Sequence, residues 1–533
     1  MSTRPRQSPG LLGDRRALSL WLSVVVGAVG GGLNAAAFPG LGWWPLIFVG
    51  TPLILLALAG RRVWGSLLVG GVAGFAFWGT HIFWITVYLG PAPWIALAGL
   101  ETVFFAIGCA LISLAWRFGD RAFPGALGHG LVLPLIVAGL WTLREAVTST
   151  WPYGGFSWGR LAFSQSESPL TPVVAWVGVS GLSFLIAVVA ALIVQALRGP
   201  QHPLARDIRG TITKRMPVAR VLRSVAPVAL LVALVAVPAF PVVVTGTMRV
   251  AAVQGNSNAG LFSEYVPGQI LRDHLAATEP LFGQDVDLVV WPENAADLDP
   301  LRSAESAAVL DEVSTRMGAP VVTGTITVSE SEFFNSLLLW EDGGSLDQYD
   351  KLHPVPFAEY IPDRDFWFPL APDLLSMIPR DYTIGQRDNL FDVGGVQTGL
   401  AICFDIVDDA LLRQMVDGGA DVIIAPTNNA DFGRTDESVQ QLAIARLRAV
   451  ETGRSVVNTS TVGTSAIIGP DGGTIDRLPT FTAGSMVADV PLSSTTTLAS
   501  SAGLAIEWAV SGFGLGGLLV AGLLTLSRRG SHG

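Results

Sequence analysis

Cysteine is scarce in this chain, two in 533 residues, and one of the two stands where a nucleophile would. The run 396–402 is apolar and β-branched and reads as a buried strand. It delivers Cys403 into an acidic turn, Phe404-Asp405, ahead of a predicted helix. So few cysteines exclude a disulfide scaffold. A thiol with an ordinary pKa of about 8.5 is mostly protonated at neutral pH, so it needs a base and a nearby cation to attack as thiolate. Two upstream stretches supply them. Asp287-Leu-Val-Val-Trp-Pro-Glu293-Asn294 is an apolar strand ending in a carboxylate, and Gln348-Tyr-Asp-Lys351 ends a short strand in an ammonium. Glu293 can take the thiol proton; Lys351 can lower the thiol pKa and stabilise the oxyanion of a tetrahedral intermediate. Singly, such residues are a core cysteine and two solvated charges. In series, each after a strand, they spell covalent acyl chemistry.

The elements that position them begin near residue 247, where the texture turns to short strands alternating with polar helices. Strands are predicted at 248–254, 286–291, 319–326, 335–341, 396–402, 421–426, 454–459 and 464–468. Helices are predicted near 267–279, 302–317, 407–418 and 437–452, the last stopping at Gly453. This alternation predicts a two-layer sheet core covered by helices.

The order Glu293, Lys351, Cys403, together with the opening strand Met248-Arg-Val-Ala-Ala-Val-Gln254 and the later Ala425-Pro-Thr-Asn428-Asn429-Ala-Asp431-Phe-Gly433, resembles the nitrilase, or carbon–nitrogen hydrolase, superfamily over residues 248–492. That resemblance implies an α-β-β-α sandwich with Glu293, Lys351 and Cys403 catalytic. It also implies supporting, oxyanion or substrate-positioning roles for Glu359, Asp405 and Asn428. The chain departs from the pattern in two places. Where relatives often carry Asn-Asp-x-Trp-Phe-Gly, Asn429 replaces the acid and Ala430-Asp431 stand before Phe432; and Asp405 stands where a glutamate is expected.

Everything outside this stretch reads as membrane. Half the residues are hydrophobic, 14% are charged, and mean hydropathy is +0.49. The net charge of −10 excludes a nucleic-acid-binding surface. Apolar runs at 17–38, 42–60, 63–89, 94–116, 128–148, 170–197, 224–245 and 503–527 predict about eight spans, the first retained rather than cleaved as a signal peptide. Domains follow: an N-terminal bundle of about seven spans (1–246), a catalytic domain (247–493), and a final span with a short tail (494–533). Arg4, Arg6, Arg15 and Arg16 precede the first run, and Arg61, Arg62, Arg117, Arg121, Arg198, Arg206, Arg209, Lys214, Arg215, Arg220 and Arg223 fall in alternate connections. Arg528 and Arg529 end the last span. The positive-inside rule then puts both termini in the cytoplasm and the catalytic domain outside.

Within or beside the spans, Arg144 and Glu145 are expected to neutralise one another, and Cys109 to be ordinary packing; His81 and Glu101 are the other polar groups there. Trp151-Pro-Tyr-Gly-Gly-Phe-Ser-Trp-Gly159 suits a membrane interface. Phe366, Trp367 and Phe368 form either core filler or a lid meeting acyl chains.

A nitrilase-like domain joined to such a bundle, with Trp291-Pro-Glu293, Lys351-Leu-His-Pro-Val-Pro-Phe-Ala-Glu359-Tyr-Ile-Pro and Gly154-Gly-Phe-Ser-Trp158, resembles the apolipoprotein N-acyltransferase family over almost the whole chain. The resemblance implies transfer of a fatty acyl chain from a phospholipid to the N-terminal amine of a diacylglyceryl-cysteine lipoprotein, through a thioacyl-cysteine, in the bacterial inner membrane. Expected partners are phospholipid, apolipoprotein and the bilayer, with the chain a monomer and neither cofactor nor metal required. Two other readings compete. The number of spans argues against a simply tethered amidase or hydrolase, and the want of internal repeats argues against a transporter with a sensor domain.

Overall fold

The computed structural model describes residues 18–125, 127–198, 216–260, 263–378 and 380–530. Arg4, Arg6, Arg15, Arg16, Arg206, Arg209, Lys214 and Arg215 lie outside the described residues, as do the side chains of Arg220, Arg223, Arg528 and Arg529. The N-terminal half is helical: α1 (Leu20–Ala37), α2 (Ile47–Leu58), α3 (Val63–His81), α4 (Ile85–Leu89), α5 (Pro91–Ala122), α6 (Leu133–Thr148), α7 (Val174–Arg198) and α8 (Met216–Val235). The C-terminal half adds α9 (Gln269–Thr278), α10 (Ala304–Met317), α11 (Arg364–Trp367), α12 (Pro372–Leu375), α13 (Asp409–Asp417) and α14 (Glu437–Thr452). The chain then returns to the bundle as α15 (Leu498–Gly530).

Six of the eight apolar runs form helices long and apolar enough to cross a membrane; Trp44–Leu58 and Ser224–Val235 are shorter. The run 224–245 is not helical throughout. Its helix stops at Val235 and the chain is irregular to residue 245, because Pro238 and Pro241 carry no N–H and cannot continue the ladder. The first run packs inside the bundle: a methyl group on Gly31 would lie 2.2 Å from the Ala73 carbonyl oxygen. Small residues thus set how closely α1 and α3 approach, as helices in lipid require. Cys109 is buried against Gly70, and its role is packing.

The described residues of the C-terminal half form two six-stranded sheets. One runs β12-β1-β2-β3-β4-β5 and the other β11-β10-β9-β8-β7-β6. The first uses β1 (Gly246–Gln254), β2 (Leu288–Val290), β3 (Val321–Ser329), β4 (Glu332–Glu341) and β5 (Gly344–Asp350). The second uses β6 (Leu390–Val393), β7 (Val396–Leu400), β8 (Val422–Thr427), β9 (Ser455–Ser460), β10 (Ala466–Ile468) and β11 (Thr474–Arg477); β12 (Gly484–Leu492) closes the first. Each sheet has a parallel centre, β1-β2-β3 and β7-β8-β9, with antiparallel edges.

Three apolar layers follow. Val250, Leu288, Val290, Leu400, Ile402 and Ile424 fill the space between the sheets. Leu271, Leu310 and Val313 of α9 and α10 cover the outer face of the first sheet. On the outer face of the second, Ile423, Val456, Ile444 and Leu447 belong to the same continuous core as Trp141, Ile186 and the other bundle residues. Sheet, α14 and bundle are therefore packed as one body on that side.

Candidate active site

Glu293, Lys351, Cys403 and Asn428 each follow the carboxyl end of a strand, β2, β5, β7 and β8, and all four ends point the same way. Ligands of parallel sheets gather at such ends. Glu293 leaves β2 through Trp291-Pro292, and its loop lies against Gly324 of β3. A methyl group there would be 2.6 Å from both the Glu293 Cα and the Asn294 nitrogen. Cys403 opens a 3₁₀ turn (Cys403–Val407) with φ of 53°, and Asn294 and Phe357 are also left-handed at 57° and 62°. Non-glycine residues held there store about 1–3 kcal/mol each, a strain that concentrates at functional sites.

The structure brings the three predicted residues together. Lys351 is fully buried, and its Nζ lies 2.9 Å from Glu359 Oε2. Burial alone would depress its pKa, but the Glu359 and Glu293 carboxylates outweigh burial and hold it above the ordinary value, so it stays an ammonium. Glu293 is pushed up by burial, with Lys351 pulling it back. The half-buried Cys403 thiol is raised well above its usual pKa, first by burial and next by Glu293, while Lys351 opposes them. The raised pKa keeps Cys403 a thiol beside a buried carboxyl group rather than a free thiolate.

Asn335, at the start of β4, was no candidate from sequence, yet it ties the site. Its Nδ2 donates to Glu293 Oε1 and to Glu359 Oε1, both at 2.8 Å, while its carbonyl accepts from the Lys351 N–H at 2.8 Å. One amide therefore holds two carboxylates in register with the lysine. Glu359 Oε2 also accepts from the Val355 N–H at 2.6 Å. The second Glu293 oxygen accepts from the backbone N–H of Asn428 at 2.8 Å, whereas the Asn428 side chain bonds Ala259 and Ala430. Asn428 thus meets the site with its backbone. Asp405 accepts from the Tyr349 hydroxyl at 3.0 Å and the Ile402 N–H at 3.1 Å, locking the cysteine turn. Burial lifts its carboxyl to about 7. His353 and Asp408, 2.6 Å apart, clip the lysine loop to the start of α13.

The site rests on the bundle. Phe404, next to Cys403, stacks on Phe156 and Trp158, with centroids 5.9 and 6.0 Å away and planes within 9°. Part of the stretch read as interfacial is therefore the bed of the cysteine turn, while Trp151 stays exposed. Ser157 Oγ donates to the Val407 carbonyl at 3.0 Å, and Arg448 of α14 donates to Ile406 and Val407 at 3.0 and 2.7 Å. Gln440 accepts from the indoles of Trp84 and Trp158 at 3.0 and 2.6 Å and donates to the His81 carbonyl at 3.1 Å. Glu451 accepts from the Val179 N–H at 3.0 Å, capping α7 where it restarts after the kink at Gly178.

Of the apolar segment, Trp367 and Phe368 pack with Phe357, Ile361 and Leu375, while Phe366 is 63% exposed. Trp367 Nε1 donates to Tyr153, whose hydroxyl donates to Asp363. In the bundle, Arg144 pairs with Glu145 at 3.3 Å and lies over the rings of Phe105 and Trp141. Among the described residues, no cluster of His, Cys, Asp and Glu is placed to hold a metal ion.

Comparison with known proteins fits this architecture. The carbon–nitrogen hydrolase model matches residues 249–500, which makes the sheet half a nitrilase-like domain, and the apolipoprotein N-acyltransferase N-terminal domain model matches residues 30–192. The apolipoprotein N-acyltransferase of Mycolicibacterium smegmatis is 31% identical over 524 residues, 93% of this chain and 84% of that protein. Those of Shewanella oneidensis and Pseudomonas aeruginosa are 28% and 27% identical, covering 89% and 92% of this chain and 90% and 96% of theirs. The chain belongs to the apolipoprotein N-acyltransferase family. As such it is an acyltransferase of lipoprotein biosynthesis, and its apolar helices mark it as a bacterial membrane protein.

Proposed function

We propose that this protein moves a fatty acyl chain from a membrane phospholipid to the α-amino group of the diacylglyceryl-cysteine that begins an apolipoprotein, by a ping-pong reaction through Cys403. Glu293 takes the S–H proton, the sulfur attacks the ester carbonyl carbon, and Lys351 holds the oxyanion. The C–O bond breaks, and Glu293 returns the proton to the departing lysophospholipid oxygen. The lipoprotein amine then attacks the thioester and gives its proton to Glu293; the C–S bond breaks, Glu293 returns that proton to the departing Cys403 sulfur, and the amide remains. Glu359 keeps the ammonium in place. Phe366, with Trp367 and Phe368 beneath it, is the lid that meets acyl chains.

The observation that carries this reading is the seating of the cysteine turn on Phe156 and Trp158 of the bundle. A hydrolase of soluble amides gains nothing from it, whereas a lipid donor entering sideways from the bilayer needs the nucleophile there. The domains are a seven-span bundle (1–246), the catalytic domain (247–493) and a closing span (494–533). Both termini are cytoplasmic, the sandwich faces outward from the inner membrane, and the chain acts as a monomer.

The test is intact-protein mass spectrometry after incubation with phospholipid vesicles and no acceptor. A gain of one acyl chain is expected, removed by neutral hydroxylamine and absent in Cys403→Ala. No adduct, with free fatty acid released, would replace the reading with a membrane-bound hydrolase.

A further inference from the structure

A second polar cluster reaches Cys403, and the reaction above does not use it. The Thr427 hydroxyl, at the end of β8, lies within hydrogen-bonding reach of the thiol. Thr427 Oγ1 donates to Gln441 Oε1 at 3.0 Å; that oxygen also accepts from Asn429 Nδ2 at 2.8 Å. The other Asn429 hydrogen goes to Glu437 Oε2 at 2.8 Å, and Asn429 Oδ1 accepts from Ser460 at 2.6 Å. Thr427, Gln441, Asn429 and Glu437 are each at most 2% exposed. No Lys, Arg or His among the described residues pairs with Glu437. A buried carboxylate without a cation is costly and wants a reason.

Counting hydrogens supplies one. Thr427 has a single hydroxyl hydrogen. While it points at Gln441, Thr427 offers Cys403 only lone pairs and can accept from the thiol but cannot donate to a thiolate. A charged Glu437 polarises the Asn429 amide and weakens its second N–H as a donor to Gln441, leaving that oxygen open to Thr427. A neutral Glu437 does the reverse.

We propose that Glu437 is a positioning residue for Cys403, acting through Asn429 and Gln441 to decide whether the Thr427 hydroxyl accepts from the thiol or donates to the thiolate. This rests on Cys403 as the nucleophile but on no particular acyl donor. The groups facing Glu437 are Asn429, Glu293 and Asp431; burial, then the two carboxylates, lift its pKa to about 8 against the pull of Asn429. Those facing Cys403 are Glu293, Lys351, Glu437 and Thr427.

The test is the pH dependence of iodoacetamide alkylation of Cys403, followed by intact mass in the full-length Cys109→Ala protein in detergent. It needs no phospholipid, so it stands apart from failure of the acyltransferase reading. Glu437→Gln should move the midpoint down by about half a unit or more. In the Thr427→Val background the Glu437→Gln shift should shrink. Moving the acid to position 429, in Asn429→Asp with Glu437→Gln, takes away the N–H that competes for Gln441 and should restore the midpoint. Gln441→Met, which cuts the chain without touching the carboxylate, should lower it and answers the question if Glu437→Gln does not fold. Unmoved profiles for Glu437→Gln or Gln441→Met overturn the proposal. So does a Glu437→Gln shift of equal size with and without Thr427.

Discussion

Replacing Asn335 with leucine removes one amide of similar size and two hydrogen bonds to buried carboxylates. A hydrogen bond to a charged group contributes about 1.5–3 kcal/mol. The bond to Glu293 favours its ionised form, so its loss should raise the pKa of that carboxyl. At about 1.4 kcal/mol per unit, the shift is about one to two units. Glu293 already lies above its ordinary value, raised first by burial, and Asn335→Leu would move it further up. Single-turnover acylation of Cys403 from phospholipid, measured from pH 5 to 9, should show its acid limb displaced upward by that amount. The alkaline plateau should be retained, because a more basic carboxylate abstracts the proton no less well. Asn335→Asp should fail at every pH, since a third carboxylate would join Glu293 and Glu359. An unshifted acid limb in Asn335→Leu would refute either Glu293 as the base or Asn335 as its tuning partner; loss at all pH values in both variants would mean that Asn335 serves only folding.

Three further outcomes follow from contacts already described. Lys351→Met should slow acylation on the order of 100-fold, as lost oxyanion stabilisers do, and near-normal turnover would remove it from the mechanism. Gly324→Ala forces a methyl group into the backbone at Glu293 and should cost about 1–3 kcal/mol of stability, read as thermal midpoint, along with most of the acylation rate. Asp405 has a folded pKa of about 7 against an ordinary 3.8, so its contribution to stability is full below about pH 4 and is lost as pH rises through 7. Asp405→Asn places its amide where Oδ1 has no partner, and its thermal midpoint should gain on the wild type between pH 4 and 8. A difference that does not change with pH would show that Asp405 does not titrate there.

Strands β2, β7 and β8 were legible because each pairs in parallel at the centre of a sheet and ends in buried residues, whereas β5 was found by the lysine that follows it. The edge strands of the second sheet were not legible. Thr474–Arg477 is largely exposed and Leu390–Val393 is short, and neither carries a pattern strong enough to stand out from a loop. Asn335 was hidden for another reason. It lies at the beginning of its strand, and only the antiparallel pairing of β4 brings it to the carboxyl ends of β2 and β5. The polar side of α14 gave no sign of its role in the sequence: the helix is enclosed by sheet and bundle, and Glu437, Gln440, Gln441 and Arg448 are buried as its contacts.

That enclosure has a consequence for anyone who recombines this protein. The family boundary a cloning strategy would choose, between the helical half and the nitrilase-like half, does not coincide with a physical seam. Helix α14 is encoded with the sheet, yet Gln440 and Glu451 complete hydrogen bonds of the bundle. A chimaera that joins one relative's bundle to another's sheet domain should therefore be soundest when residues 437–452, with the 156–158 loop that faces them, travel together. The two halves inherit one another's changes along this helix and drift as a single unit.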